Sequence, residues 1–122
     1  MQDLAATGAE FTGVTIAGQE VAIGNKRFQN NGLKNCRIVL GNCCCLPFLD
    51  NTYDCAYAVY ALKYLEDLRP ALQEVNRILH PGGLFLVYDL LKTDKYDVDS
   101  IEHRTVVENL EYGCGMPSLH TR

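Results

Sequence analysis

The sequence contains no run of apolar residues approaching the ~18 that a membrane-spanning helix requires. It has no surplus of positive charge either. Eleven Lys and Arg face fifteen Asp and Glu, for a formal net charge of -4, so nothing draws the chain to nucleic acid. The N-terminus, MQDLAATGAE, lacks both the basic and the apolar region of a signal peptide. Internal repeats and low-complexity segments are missing as well. Together these gaps point to a cytoplasmic protein without an integral membrane segment.

At 122 residues and 48% hydrophobic, the chain makes one globular domain at most, or a piece of a larger one. The six cysteines, Cys36, Cys43, Cys44, Cys45, Cys55 and Cys114, do not form a disulfide framework on this reading. Three of them are adjacent, and neighbours on an extended chain point to opposite faces. No pair of C-x2-C motifs is present to hold a metal, and none is expected.

Residues 1–8 read as the last turns of a helix, and Glu10–Ile16 as a strand rich in β-branched residues. Gln19–Asn30 reads as a helix with Val21, Ile23 and Phe28 among its apolar positions. Cys36–Leu40 is a second strand, followed by a loop over Cys43–Asn51. Tyr53–Tyr60 is a third strand, apolar enough to be buried on both faces. Leu68–Leu79 is an amphipathic helix with Leu68, Leu72, Val75 and Leu79 on one face. His80-Pro81-Gly82-Gly83 reads as a hard stop and turn, Leu84–Tyr88 as a fourth strand, and Val98–Tyr112 as a last helix ending at Gly113. Such alternation implies an α/β fold with a mainly parallel sheet. Ligands then bind at the carboxyl ends of the strands.

Three stretches carry a family likeness. Gly41-Asn42, Leu46-Pro47-Phe48 and Asn51-Thr52-Tyr53-Asp54, with Glu74-Val75-Asn76-Arg77-Ile78-Leu79-His80-Pro81-Gly82-Gly83, resemble class I S-adenosylmethionine-dependent methyltransferases. Thr12-Gly13-Val14-Thr15-Ile16 is similar to the second strand of sterol methyltransferases. The segment from Tyr88 to Asp97, with Leu110 to Pro117, resembles the sterol C-methyltransferase segment after the fourth catalytic-domain strand. Side-chain sterol methyltransferases carry Glu-Ala-Thr where this chain has Tyr60-Ala61-Leu62. That departure fits the nematode-type branch that methylates C4 of the sterol A ring.

The resemblance implies the interior part of a Rossmann-like methyltransferase fold, strands 2 to 5. The first strand with its glycine-rich loop and the C-terminal strands are not found, so residues 1–122 are expected to be a partial methyltransferase domain. The implied cofactor is S-adenosyl-L-methionine and the implied partner a small sterol or lipid. Peripheral contact with the endoplasmic reticulum would follow from such a substrate, and oligomerisation is left open. Cofactor contacts fall on Thr15, Ile16, Asn42, Cys43 and Tyr60. Tyr60 and Asp89 are the catalytic candidates, Asp89 as a base or as the group that orients the sterol oxygen. Each has a plainer reading: β-branched strand packing for Thr15 and Ile16, a turn asparagine for Asn42 with Cys43 beside it, a buried strand-end aromatic for Tyr60, and a cap or loop aspartate for Asp89. His103 and His120 are weighed as acid/base groups against structural roles. A catalytically inactive methyltransferase-like remnant or interaction module stands as the alternative, and so does a methyltransferase for another small molecule.

Overall fold

The computed structural model describes residues 2–121. They divide into two compact units. One runs to Leu49 and includes Pro70–Ile78. The other comprises Asp50–Arg69 and the chain from Leu79 onward.

The first unit is a strand–helix–strand unit. Strand β1 (Phe11–Thr15) pairs in parallel with β2 (Cys36–Leu40), from Phe11 opposite Cys36 to Thr15 opposite Leu40. Helix α1 (Gly18–Asn30) makes the crossover, because parallel neighbours cannot be joined by a tight turn. Phe28 is the buried side chain of α1 and packs with Ala5 and Cys36, flanked by Phe11, Leu33 and Ile38. Ile23, expected on the apolar face, is 68% exposed. The helix is instead fastened to β2 by a polar residue. The Asn25 side-chain amide donates to the Ile38 carbonyl at 2.7 Å and accepts from the Ile38 N–H at 2.8 Å. This satisfies one residue of the free β2 edge as a strand partner would. Gly24 permits the approach, since a Cβ there would collide with the Ile38 side chain.

The N-terminal segment is a 3-10 helix over Gln2–Thr7. The expected helix began at Met1, which lies outside the described residues. Asn35 anchors the segment by donating to the Ala5 and Ala9 carbonyls at 2.9 and 2.8 Å.

Helix α2 spans Arg69–Ile78, and its buried residues are Ala71 and Ile78. Leu72, expected on the buried face, is 42% exposed. A charged pair on α2 holds the loop after β2. Arg77 forks onto Glu74 with two 2.7 Å bonds. It also donates to the Phe48 and Leu46 carbonyls at 2.8 and 3.1 Å. Glu74 accepts the Leu46 N–H at 2.7 Å. The loop backbone thus finds its partners on one Arg–carboxylate pair, in the geometry that makes such bonds strong.

In the second unit β3 (Tyr53–Val59) pairs in parallel with β4 (Leu79–Tyr88). The expected stop at His80-Pro81-Gly82-Gly83 is corrected here: β4 begins directly after α2, at Leu79. Tyr53 lies opposite Leu79 and Cys55 opposite Leu84, so those four residues swell out of the ladder as a bulge. Gly82 takes φ 84° in that excursion, a conformation that a side chain disfavours. A 3-10 turn, Leu62–Tyr64, follows β3. Helix α3 (Ile101–Cys114) starts at Ser100, whose hydroxyl accepts the His103 N–H. It continues through Gly113, its expected end, and stops at Gly115. The tail then folds back. Glu111 accepts the Leu119 N–H at 2.7 Å, Lys92 N–H donates to the His120 carbonyl at 2.8 Å, and His120 Nε2 meets the Leu65 carbonyl at 2.7 Å.

The mainly parallel sheet read from the alternation takes the form of two parallel pairs among the described residues, β1–β2 and β3–β4, each a sheet of its own. Parallel strands are ordinarily covered on both faces. Here Leu84, Leu86 and Tyr88 of β4 are 70%, 68% and 62% exposed.

The Glu74–Arg77 clamp carries a pH dependence of known sign. The hydrogen bonds from Arg77 and then from the Leu46 N–H hold the Glu74 carboxyl well below its ordinary 4.5, at about 2. A folded-state value below the unfolded one stabilises at pH above the unfolded value and is lost as pH falls through the folded value. Urea titrations should therefore show the stability gap between wild type and Glu74→Gln largest near neutrality. It should close between about pH 4.5 and about pH 2. A gap that stays constant across that range would contradict the clamp.

Candidate functional site

The chemistry-bearing residues sit where parallel strands end. In the first unit the β1 and β2 ends are held side by side by the Gly41 N–H, which donates to the Thr15 carbonyl at 2.9 Å. Thr15 closes β1, and its hydroxyl donates to Glu20 Oε2 at 2.7 Å while accepting the Ala17 N–H at 3.2 Å. Glu20 lies in the first turn of α1, where the helix dipole favours a carboxylate. Ile16 is 80% exposed beside it. Across the pair, Asn42 organises a tight turn. Its side-chain oxygen accepts the Cys44 N–H and its carbonyl accepts the Cys45 N–H, each at 2.9 Å. Among the described residues the Cys43 N–H between them donates to no other residue. Burial, then the neighbouring Cys44, push the Cys43 thiol above its usual value, so it stays protonated near neutrality.

The structure thus brings Thr15, Ile16, Asn42 and Cys43 together at the end of one strand pair. Glu20 is the member the sequence reading missed. Its signal was an acidic residue in the first helical turn, five positions after a strand-end threonine.

Tyr60 and Asp89 close β3 and β4 of the second unit. The Tyr60 N–H donates to the Tyr88 carbonyl at 2.8 Å, and the two rings meet edge to face with centroids 5.2 Å apart. The hydrogen bond with Tyr88, foremost, raises the Tyr60 phenol above its ordinary value. The Tyr88 charge, burial and the Asp89 carboxylate act in the same direction. Tyr60 also holds φ 51°, in the left-handed region, a strained conformation for a bulky side chain.

Asp89, expected as a base, as the group that orients the sterol oxygen, or as a cap or loop aspartate, is bonded by backbone amides. Its Oδ2 accepts the Leu62 and Lys63 N–H groups at 2.9 and 3.0 Å, and its Oδ1 accepts the Leu90 N–H at 2.9 Å. A carboxylate has about four lone-pair sites, and backbone amides fill three of them. Two of the three histidines are tied to loop backbone: His103 Nδ1 accepts the Asp97 N–H at 3.1 Å, and His120 meets the Leu65 carbonyl. Among the described residues no group of three or more His, Cys, Asp or Glu is placed to hold a metal ion. No helix among them is long and apolar enough to cross a membrane.

A family described as "Methyltransferase domain" matches residues 1–87. The chain belongs to that methyltransferase-domain family. It is 52% identical over its whole length to sterol 4-C-methyltransferase strm-1 of Caenorhabditis elegans, of which the match covers 37%. It is 34% identical to squalene methyltransferase 1 of Botryococcus braunii, over 94% of this chain and 31% of the relative. The chain thus spans about a third of the length of these relatives. In structure it is similar to geranyl diphosphate C-methyltransferase from Streptomyces coelicolor A3(2), with TM-score 0.86 and 20% identity over 99% of this chain and 43% of that one. That likeness establishes the fold as a partial Rossmann-like methyltransferase fold.

The backbone strain at Tyr60 can be read by two substitutions. Both Tyr60→Gly and Tyr60→Ala delete the ring, but only glycine relieves the positive φ. Thermal unfolding should place the glycine variant roughly 5 °C above the alanine variant, against the usual order of the two residues. Equal values, or alanine higher, would contradict the strained conformation.

Proposed function

We propose that this chain is part of an S-adenosylmethionine-dependent methyltransferase that acts on a sterol carbon, with C4 of the A ring as the position. The observation that carries this reading is the 52% identity across the whole chain to a sterol 4-C-methyltransferase. The bound cofactor would supply an electrophilic methyl group on a sulfonium. The strand ends of the first unit suit its nucleoside half. The Cys43 N–H can donate to an adenine ring nitrogen, and the Asn42 side chain can bond the exocyclic amine. Glu20, aligned by Thr15, offers the carboxylate that a ribose diol requires, and exposed Ile16 offers an apolar surface for the base. In the second unit Tyr60 stands at the acceptor end. Asp89 acts as a positioning residue, through the Leu62–Tyr64 turn that it holds.

For a C4 acceptor the nucleophile is an enol or enolate, and the protein's part is to position it and exclude water. A sterol acceptor resides in membranes, so a cytoplasmic protein peripheral to the endoplasmic reticulum accompanies this reading. Residues 1–122 would form part of a methyltransferase domain whose remaining strands complete the sheet. The exposed β4 face supports the alternative of an interaction module, in which that face serves a partner and no methyl is transferred.

The two readings separate in one assay. The whole protein, given the cofactor and a 4-desmethyl sterol, should yield a product heavier by one methylene. Glu20→Ala should weaken S-adenosylhomocysteine binding by roughly tenfold or more in calorimetry, as loss of a charged hydrogen-bond acceptor does. No turnover on any sterol, with no binding of S-adenosylhomocysteine, would leave the interaction module standing.

A further inference from the structure

We propose that Cys43 and Cys44 form a dithiol site for a trivalent arsenical, and that loading it closes the nucleoside half of the cofactor site. The dithiol stands on the geometry of one turn. The link to the cofactor rests on the methyltransferase reading above and deepens it.

The turn runs from Asn42 to Cys45. The Asn42 carbonyl accepts the Cys45 N–H and the Asn42 side chain accepts the Cys44 N–H, each at 2.9 Å. Asparagine suits the first position of such a turn because of that second bond. Neither Cys43 nor Cys44 has a positive φ, so both follow the near-helical path of a type I turn. Successive side chains on that path diverge by roughly 100° instead of opposing each other as on a strand. Adjacent cysteines that would face apart on an extended chain are thereby brought to one side of the turn. The Cys43 thiol accordingly feels the Cys44 thiol, by charge and by hydrogen bonding, and Cys45 is not among the groups that act on it. Both thiols of the pair are half-buried, and Cys45 is exposed. The turn is tied down at either end, where the Gly41 N–H donates to the Thr15 carbonyl and the Leu46 N–H to Glu74. The pair is therefore held ready before a ligand arrives.

Two thiols so placed do not favour a bond to each other. A trans peptide sets their Cα atoms about 3.8 Å apart, whereas disulfides span roughly 4.4–6.8 Å. A bridging atom adds one member to the ring and relieves that limit. It must be soft, to suit sulfur. It must also be content with two protein ligands, since among the described residues no group of three or more His, Cys, Asp or Glu is placed to hold a metal ion. Trivalent arsenic with its third valence on carbon meets both conditions. With an organoarsenic oxide, two As–S bonds form and the bond from arsenic to oxygen breaks. The two thiol protons leave with that oxygen as water, and arsenic stays trivalent, so no oxidant is required. The Cys43 thiol suits this exchange, because it stays protonated near neutrality and brings its proton to the departing oxygen. The Cys43 N–H and the Asn42 side chain, assigned above to the adenine, belong to the same turn. An aryl arsenical on Cys43 and Cys44 takes the space that the base would fill.

The test adds phenylarsine oxide to the whole protein and to its Cys43→Ser, Cys44→Ser and Cys45→Ser variants, with glutathione in excess to compete at single thiols. Thermal unfolding checks the fold of each. Peptide mass mapping should find phenylarsine oxide less one water on Cys43 and Cys44 in wild type and in Cys45→Ser. Cys43→Ser and Cys44→Ser should bind it there roughly 100-fold more weakly, as befits loss of the second, intramolecular ligand. Loading should abolish S-adenosylhomocysteine binding by wild type, and dithiothreitol should restore it. Equal loading of wild type and Cys44→Ser, or an adduct that requires Cys45, would overturn the dithiol. A loaded turn with unchanged S-adenosylhomocysteine affinity would overturn its link to the nucleoside half. Failure of all four unloaded proteins to bind S-adenosylhomocysteine would overturn the methyltransferase reading instead, while the mass mapping still decides the dithiol.

Discussion

Parallel strand pairing is the constraint on which the rest of this structure depends. A parallel neighbour can be reached only by a crossover, so each strand runs the same way and ends on the same side of its sheet. The α1 crossover brings Thr15 and Asn42 to adjacent strand ends. The connection through α2 does the same for Tyr60 and Asp89. A polar residue placed just after a strand is therefore delivered to the functional end of the fold without a dedicated device. The same pairing leaves lateral edges, and Asn25 meets one of them by imitating a backbone partner at Ile38.

Each strand end is followed by a turn, and each turn is tied by a side chain that takes up backbone amides. Asn42 holds the Cys44 N–H, Asp89 holds those of Leu62, Lys63 and Leu90, and Glu74 with Arg77 holds the loop at Leu46 and Phe48. The two units share this solution although their sequences differ. Polar side chains that look like candidates for chemistry are in part the rigging of the site. What they leave over at the first unit's strand ends, an amide at Cys43 and a carboxylate at Glu20, is what the proposed ligand would meet.

Much of the fold was legible in the sequence. Strand β2 was placed with its observed bounds, and α1 within one residue, because β-branched runs and helix exits are local signals. The errors have physical causes. His80-Pro81-Gly82-Gly83 carries every mark of a turn, yet a bulge uses the same residues, and only pairing with β3 distinguishes the two. Gly113 looked like a helix end, but the left-handed residue that stops α3 is Gly115. Leu72 and Ile23 followed the apolar period and proved exposed, while Phe28 on α1 and Ala71 and Ile78 on α2 are the buried residues. Strand ends singled out Thr15, Ile16, Asn42, Cys43, Tyr60 and Asp89 as candidates. How these side chains are bonded depends on contacts that span from one to 27 positions in sequence, beyond the reach of local pattern.

The central claim is that the β1 and β2 ends form the nucleoside half of a methyl-donor site, and amide NMR tests it most directly. Adding S-adenosylhomocysteine to the 15N-labelled whole protein should move the Cys43 amide most, as its N–H gains an acceptor, with smaller shifts at Ile16 and Glu20. Saturable binding that leaves Cys43 unmoved, or shifts confined to residues far from these strand ends, would contradict the account.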